Sequence, residues 1–153
     1  MEVSCVVSFI EVLKRLIPGT YSTMTGHPNA PEAFREFVRE VKEKVPELRA
    51  RDDWEVESTV LEAIDHARHK LCTPLKTAEV VGVTGDYYEG AAVYSCYHPD
   101  IGDFYLAIQE EEDAASGYGF FGFTLTRSKN KALEDYKSVI ESWKERGVKY
   151  EEW

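Results

Sequence analysis

Ala91-Ala92-Val93-Tyr94-Ser95-Cys96-Tyr97-His98-Pro99-Asp100-Ile101-Gly102-Asp103-Phe104-Tyr105-Leu106-Ala107-Ile108-Gln109 is the stretch on which the fold turns. Two runs rich in aromatic and aliphatic residues flank Pro99 to Gly102, a cluster of turn formers, which is the pattern of an antiparallel hairpin. Its strands are Ala91 to His98 and Phe104 to Gln109. Two further strand candidates lie on either side, Ala78 to Thr84 and Tyr118 to Arg127. The connections through Gly85-Asp86 to Gly90 and through Glu110 to Gly117 are short, so a four-stranded antiparallel meander is the simplest topology.

Helical spacing dominates before residue 77. Val3, Val6, Val7, Ile10, Leu13 and Ile17 recur at three- and four-residue steps and stop at Pro18-Gly19. A loop over residues 18–30 leads to a second helix opening at Asn29-Ala30-Pro31-Glu32, where a polar cap and an early proline suit the free amides. Its buried stripe is Phe34, Phe37, Val38, Val41 and Val45. A third helix, from about Glu55 to Leu71, carries Val60, Leu61, Ile64, Ala67 and Leu71 and closes at Pro74. After the strands, Asn130 to Arg146 forms a last helix that buries Leu133, Tyr136, Val139, Ile140 and Trp143 and ends at Gly147. Val148 to Trp153 adds a short edge strand. The expected class is α+β in one globular domain over residues 1–153, with three N-terminal helices, the meander and a C-terminal helix.

Turn length decides which side chains share a sheet face, because successive side chains alternate. A turn over Pro99 to Gly102 pairs His98 with Asp103. Val93, Ser95 and Tyr97 then join Phe104, Leu106, Ile108, Phe121, Phe123 and Leu125 on a core face. The other face carries Tyr94, Cys96, His98, Tyr105, Tyr118 and Phe120, with Asp103, Ala107, Gln109, Thr124 and Thr126. A change of one residue in the turn reverses the assignment. Six of the nine tyrosines lie between Tyr87 and Tyr118. Tyrosine joins a large apolar ring to a polar tip, which suits pockets and interfaces. Tyr94, Cys96, His98, Tyr105, Tyr118 and Phe120 are therefore the candidate ligand or interface residues.

Composition narrows the partners. The 153 residues include 28 acidic and 18 basic side chains, a formal charge of −10 that repels phosphate backbones, so nucleic acid is not an expected partner. An acidic decoy for a nucleic-acid-binding protein needs carboxylates along one face, whereas Arg35 to Lys44 interleaves both signs. The apolar run Val3 to Ile17 is broken by Glu11, Lys14 and Arg15 and is shorter than the ~20 residues of a spanning helix, so no membrane segment is expected. Cys5, Cys72 and Cys96 are odd in number and form no CxxC, which favours a reducing, cytoplasmic location. The scarcity of Asn and Gln beside abundant Glu and Lys points to a heat-adapted protein.

Catalytic motifs are sparse, and no cofactor is expected. Gly117-Tyr118-Gly119-Phe120-Phe121-Gly122 matches GxGxxG literally, but no helix opens within it to meet a pyrophosphate. Cys96 and His98 could supply two metal ligands, with His66, His69 and Cys72 nearby. On a helical wheel, however, His66 and His69 lie opposite the apolar stripe and face water. As a dyad, Cys96 and His98 are about 7 Å apart along the strand. Gly122 to Trp153, read as strand, helix and Arg146-Gly147-Val148-Lys149-Tyr150, is similar to the opening of a module in the vicinal oxygen chelate fold. That superfamily's metal-binding His and Glu have no counterpart here, so the resemblance implies no activity. The expected function is a non-enzymatic binding domain that offers its tyrosine-rich face to a partner subunit, a homodimer mate or a small apolar ligand. The alternative is a small metal-assisted enzyme centred on Cys96 and His98, with acids from Asp103 or Glu110.

Overall fold

The computed structural model describes residues 8–17, 19–23, 30–81, 87–113 and 118–153. Val3 to Val7, Cys5 among them, Pro18, the Asn29 cap, residues 82–84 of the first strand candidate and Gly117 lie outside the described residues. Four helices and one six-stranded antiparallel sheet make up the α+β fold. The helices are α1 (Phe9–Leu16), α2 (Ala30–Lys44), α3 (Asp53–Lys70) and α4 (Lys129–Glu145), with a 3-10 turn at Pro46–Leu48. The strands are β1 (Tyr21–Ser22), β2 (Cys72–Val80), β3 (Tyr87–His98), β4 (Gly102–Asp113), β5 (Tyr118–Thr126) and β6 (Tyr150–Glu152), in spatial order β1-β5-β4-β3-β2-β6.

The central hairpin differs from the sequence expectation by one residue. His98 pairs with Gly102, so Cys96 lies opposite Phe104, Tyr94 opposite Leu106 and Val93 opposite Ala107. Ile101 N donates to His98 O at 3.0 Å, and Gly102 follows at φ +88°. A β-turn with Pro99 in its second position, followed by a left-handed glycine, joins the two strands. Arg127 fastens the turn by donating to Ile101 O at 2.6 Å and Asp103 O at 3.0 Å. The β4–β5 pairing agrees with the expected sorting: Phe123 faces Ile108, Leu125 faces Leu106 and Thr124 faces Ala107. Only β3 is inverted, and with it the expected tyrosine face divides between the two sides of the sheet.

Helices cover both sides. Cys96, Phe104, Leu106, Ile108, Phe123 and Leu125 pack in one cluster with α1, α2 and α3. The expected stripe residues Phe37, Val38 and Val41 of α2, Val45 just after it, and Val60, Ile64 and Ala67 of α3 are buried there. On the opposite side, Ala78, Ala91 and Ala107 leave room for the large rings of Tyr136 and Trp143 from α4. Ser128 caps α4 by accepting from Lys131 N at 3.1 Å. At the other end Gly147, at φ +71°, closes a Schellman motif in which Val148 N donates to Trp143 O and Gly147 N to Lys144 O. The chain then returns to the sheet as β6.

The strands run longer than expected. β2 begins at Cys72 and contains Pro74, at a position where β3 is its strand partner; β6 pairs with β2 only over Ala78 to Val80. The register shifts between Pro74 and Lys76, leaving Leu75 as an exposed bulge residue. Proline has no amide to donate, so a bulge on a strand lacking a second neighbour accommodates it.

Trp143 anchors α4: it is fully buried, and its indole N–H donates to Glu89 at 2.8 Å. Arg146 also donates to that carboxylate, at 2.7 Å, which offsets the cost of a Glu89 only 3% exposed. Trp143→Ala is expected to cost about 3–5 kcal/mol in equilibrium denaturation. A loss below about 1 kcal/mol would contradict the docking of α4.

Candidate functional site

A cleft of about 270 Å³ opens on the side of the sheet that also carries the three-helix core. Among the described residues its lining comes from β2, β3, β4 and Trp153. Gly90, Ala92 and Ile108 contribute to its floor, and the small side chain of Ala92 leaves space open above it. Tyr88, Tyr94 and Trp153 contribute aromatic surface. Trp153 is held by reciprocal backbone hydrogen bonds with Thr77 at 3.1 and 2.7 Å, yet its side chain remains 63% exposed. The Tyr88 ring lies over Gly90, in space that a Cβ at that position would occupy.

Polar groups enter the cleft at fixed positions. The Glu79 carboxylate lies near the Tyr88 phenol, and both line the cleft. Arg68, on α3, donates to Glu110 and to Asp65. Its guanidinium is thereby engaged with groups of the protein itself. Burial pushes the Tyr88 phenol up to about 12, with the nearby Glu79 and Glu110 carboxylates acting in the same direction. Tyr94 is also raised, first by burial, against the opposing influence of Arg68.

The residues singled out from sequence do not share one site. Tyr94 lines the cleft. Cys96 is only 2% exposed and is disulfide-bonded to Cys72, its directly paired neighbour on β2. His98 ends β3, where its Nδ1 accepts from Asp100 N at 3.1 Å within the turn. Tyr105 packs on the other side of the sheet against the α4 cluster. Tyr118 and Phe120 belong to β5, with backbone pairing to Asp113 and Glu111, and their side chains lie outside the described residues. Tyr88, Glu79 and Trp153 were missed. The signal available for Tyr88 was its place two residues before Gly90 on one strand, a tyrosine beside an unfilled position.

The disulfide corrects the reading of the cysteines as unpaired. Tyr97 N donates to Leu71 O at 3.1 Å, which makes Cys72 and Cys96 a non-hydrogen-bonded pair, the closer type across an antiparallel ladder. With its sulfur committed to Cys72, Cys96 has no thiolate to offer a metal or a substrate in this oxidised form. His66 and His69 are exposed, as their wheel positions implied; His66 stacks on Phe9 and His69 lies 3.4 Å from Asp65. Among the described residues no group of three or more His, Cys, Asp or Glu side chains is placed to hold a metal ion. Nor is any described helix long and apolar enough to cross a membrane.

Closing a loop of this length by a disulfide stabilises a fold by about 3 kcal/mol, chiefly by restricting the unfolded chain. The Cys72→Ser variant, or the reduced protein, is expected to melt about 6–12 °C lower. Equal melting with and without reductant would count against the bond. The tyrosines offer an independent check by ultraviolet titration. Tyr88, Tyr94 and Tyr136 all ionise above the ordinary phenol value of 10.0. Between that value and about 12 the unfolded chain loses the Tyr88 proton before the folded one does, so stability falls as pH rises through this window. Tyr88→Phe should remove one late-titrating phenol; an unchanged count of late phenols would contradict the placement.

Comparison with protein-family models, with curated proteins and with solved structures finds no match for this chain.

Proposed function

We propose that this protein is a small binding domain without catalytic activity of its own, and that the cleft beside Tyr88, Tyr94 and Trp153 takes a small, largely apolar ligand. The observation that carries this reading is the composition of the cleft. A floor of Gly90, Ala92 and Ile108 lies beside three aromatic side chains, and Thr77, Glu79 and Glu110 add polar surface next to them. Concave, apolar surface with a few convergent polar groups is the usual character of small-molecule sites. The rings supply contact area at low conformational cost, and the exposed Trp153 would lose most of its remaining contact with water on binding.

A partner subunit is the second reading. Tyr97, 57% exposed on the α4 side of the sheet, favours it. It concerns the opposite side from the cleft, so the two readings separate by experiment.

We further propose a heat-adapted, cytoplasmic protein. Disulfides are rare in the cytosol of mesophiles but common in intracellular proteins of hyperthermophiles. The Cys72–Cys96 bond and the scarcity of Asn and Gln then have one explanation in common.

Native mass spectrometry of gently purified protein tests the binding reading. The expected result is a monomer carrying a small organic adduct that is lost in Ala92→Leu, a variant that fills the cleft floor while keeping its melting temperature. A bare monomer would contradict ligand binding, and an unliganded dimer would favour the partner surface.

A further inference from the structure

The cleft's charges restrict the chemistry of what it binds. Glu79 and Glu110 both line it, while Arg68 is held by Asp65 and Glu110. Counting Asp65 with them, these groups comprise three carboxylates against one guanidinium. A neutral apolar ligand would cover the two lining carboxylates and strip them of water without replacing the lost solvation. An anion would meet direct repulsion. A cation would compensate that charge, and its apolar substituents would cover the floor of Gly90, Ala92 and Ile108.

The aromatic groups point the same way. The faces of tyrosine and tryptophan carry the negative lobe of the ring quadrupole and attract organic cations, with tryptophan the strongest. Tyr88, Tyr94 and Trp153 are the aromatic residues that line the cleft. Burial and the neighbouring carboxylates keep the Tyr88 phenol protonated throughout the physiological range, so the ring adds no negative charge of its own. The site thus combines aromatic surface, an apolar floor and excess negative charge.

We propose that the ligand is a small organic cation, an alkylated ammonium that places its charge among the aromatic side chains and opposite Glu79 and Glu110. This inference rests on the binding reading above and narrows it to one chemical class. Size agrees: a cleft of about 270 Å³ lies just below the range typical of drug-sized ligands and suits a compact molecule.

Choline is a suitable probe, set against dimethylbutanol, its uncharged isostere in which carbon replaces nitrogen. Both are titrated against the full chain and its variants and followed by the ligands' own methyl resonances. Choline is expected to bind at least about tenfold more tightly than the isostere. Glu79→Gln alters an exposed side chain and should weaken choline by about tenfold without weakening the isostere. Trp153→Ala should weaken both ligands. Equal binding of the two ligands, or choline binding unaffected by Glu79→Gln, would overturn the cationic assignment and leave the cleft as a binding site. Binding of neither, or binding of both unaffected by Trp153→Ala, would overturn the cleft as well.

Discussion

Gly102, at φ +88°, closes the turn between β3 and β4 one residue earlier than an ordinary four-residue loop would, and the rest of the molecule depends on the register it sets. A left-handed residue here favours glycine, because a Cβ in that conformation meets the following carbonyl oxygen. With His98 opposite Gly102, Cys96 falls among Phe104, Leu106 and Leu125 under the N-terminal helices, and Val93 and Ala107 fall under α4. A slip of one residue would exchange those environments along the whole of β3. Tyr94 would leave the cleft, Glu89 would lose its contact with Trp143 and Arg146, and the Cys96 sulfur would point away from Cys72.

The same register explains why the cleft exists. β3 and β4 are long strands, and their Tyr88, Gly90, Ala92 and Ile108 extend a sheet surface on which, among the described residues, the cleft is lined by strands and Trp153. Such a surface is usually solvated by charges or buried by another layer. Here the chain places an aromatic residue at the edge by bringing β6 back alongside β2, where Trp153 is fixed by its backbone to Thr77. The return depends in turn on α4: its Schellman end at Gly147 redirects the chain, and its Trp143 and Tyr136 lock it to the far side of the sheet. Elements on one side of the sheet therefore position a site on the other.

Much of the architecture is legible in the residues alone. The apolar spacing of α2, α3 and α4 identifies the stripes that are buried, and Gly147 marks a real helix end. The terminal strand after Val148 is present as β6. Pro99-Asp100-Ile101-Gly102 reads as four loop residues in the sequence, whereas the glycine is already the first residue of β4. β2 was placed too late because Pro74 signals the end of a helix equally well as a bulge on a partly unpaired strand. The two-residue β1, paired with β5 at Tyr21 and Leu125, is too short for any periodicity to show. The site suffered most. Tyr94 was found, but the residues that accompany it come from three other segments, and only the register and the return of β6 bring Glu79, Glu110 and Trp153 to one place. The pairing of Cys72 with Cys96 was hidden for the same reason.

Nuclear Overhauser contacts across the β3–β4 hairpin measure the register directly. Backbone contacts linking Cys96 with Phe104 and Tyr94 with Leu106 are expected, because these residues lie opposite one another. Contacts linking Tyr97 with Phe104 and Ser95 with Leu106 in their place would invert β3, disperse the cleft and contradict the account.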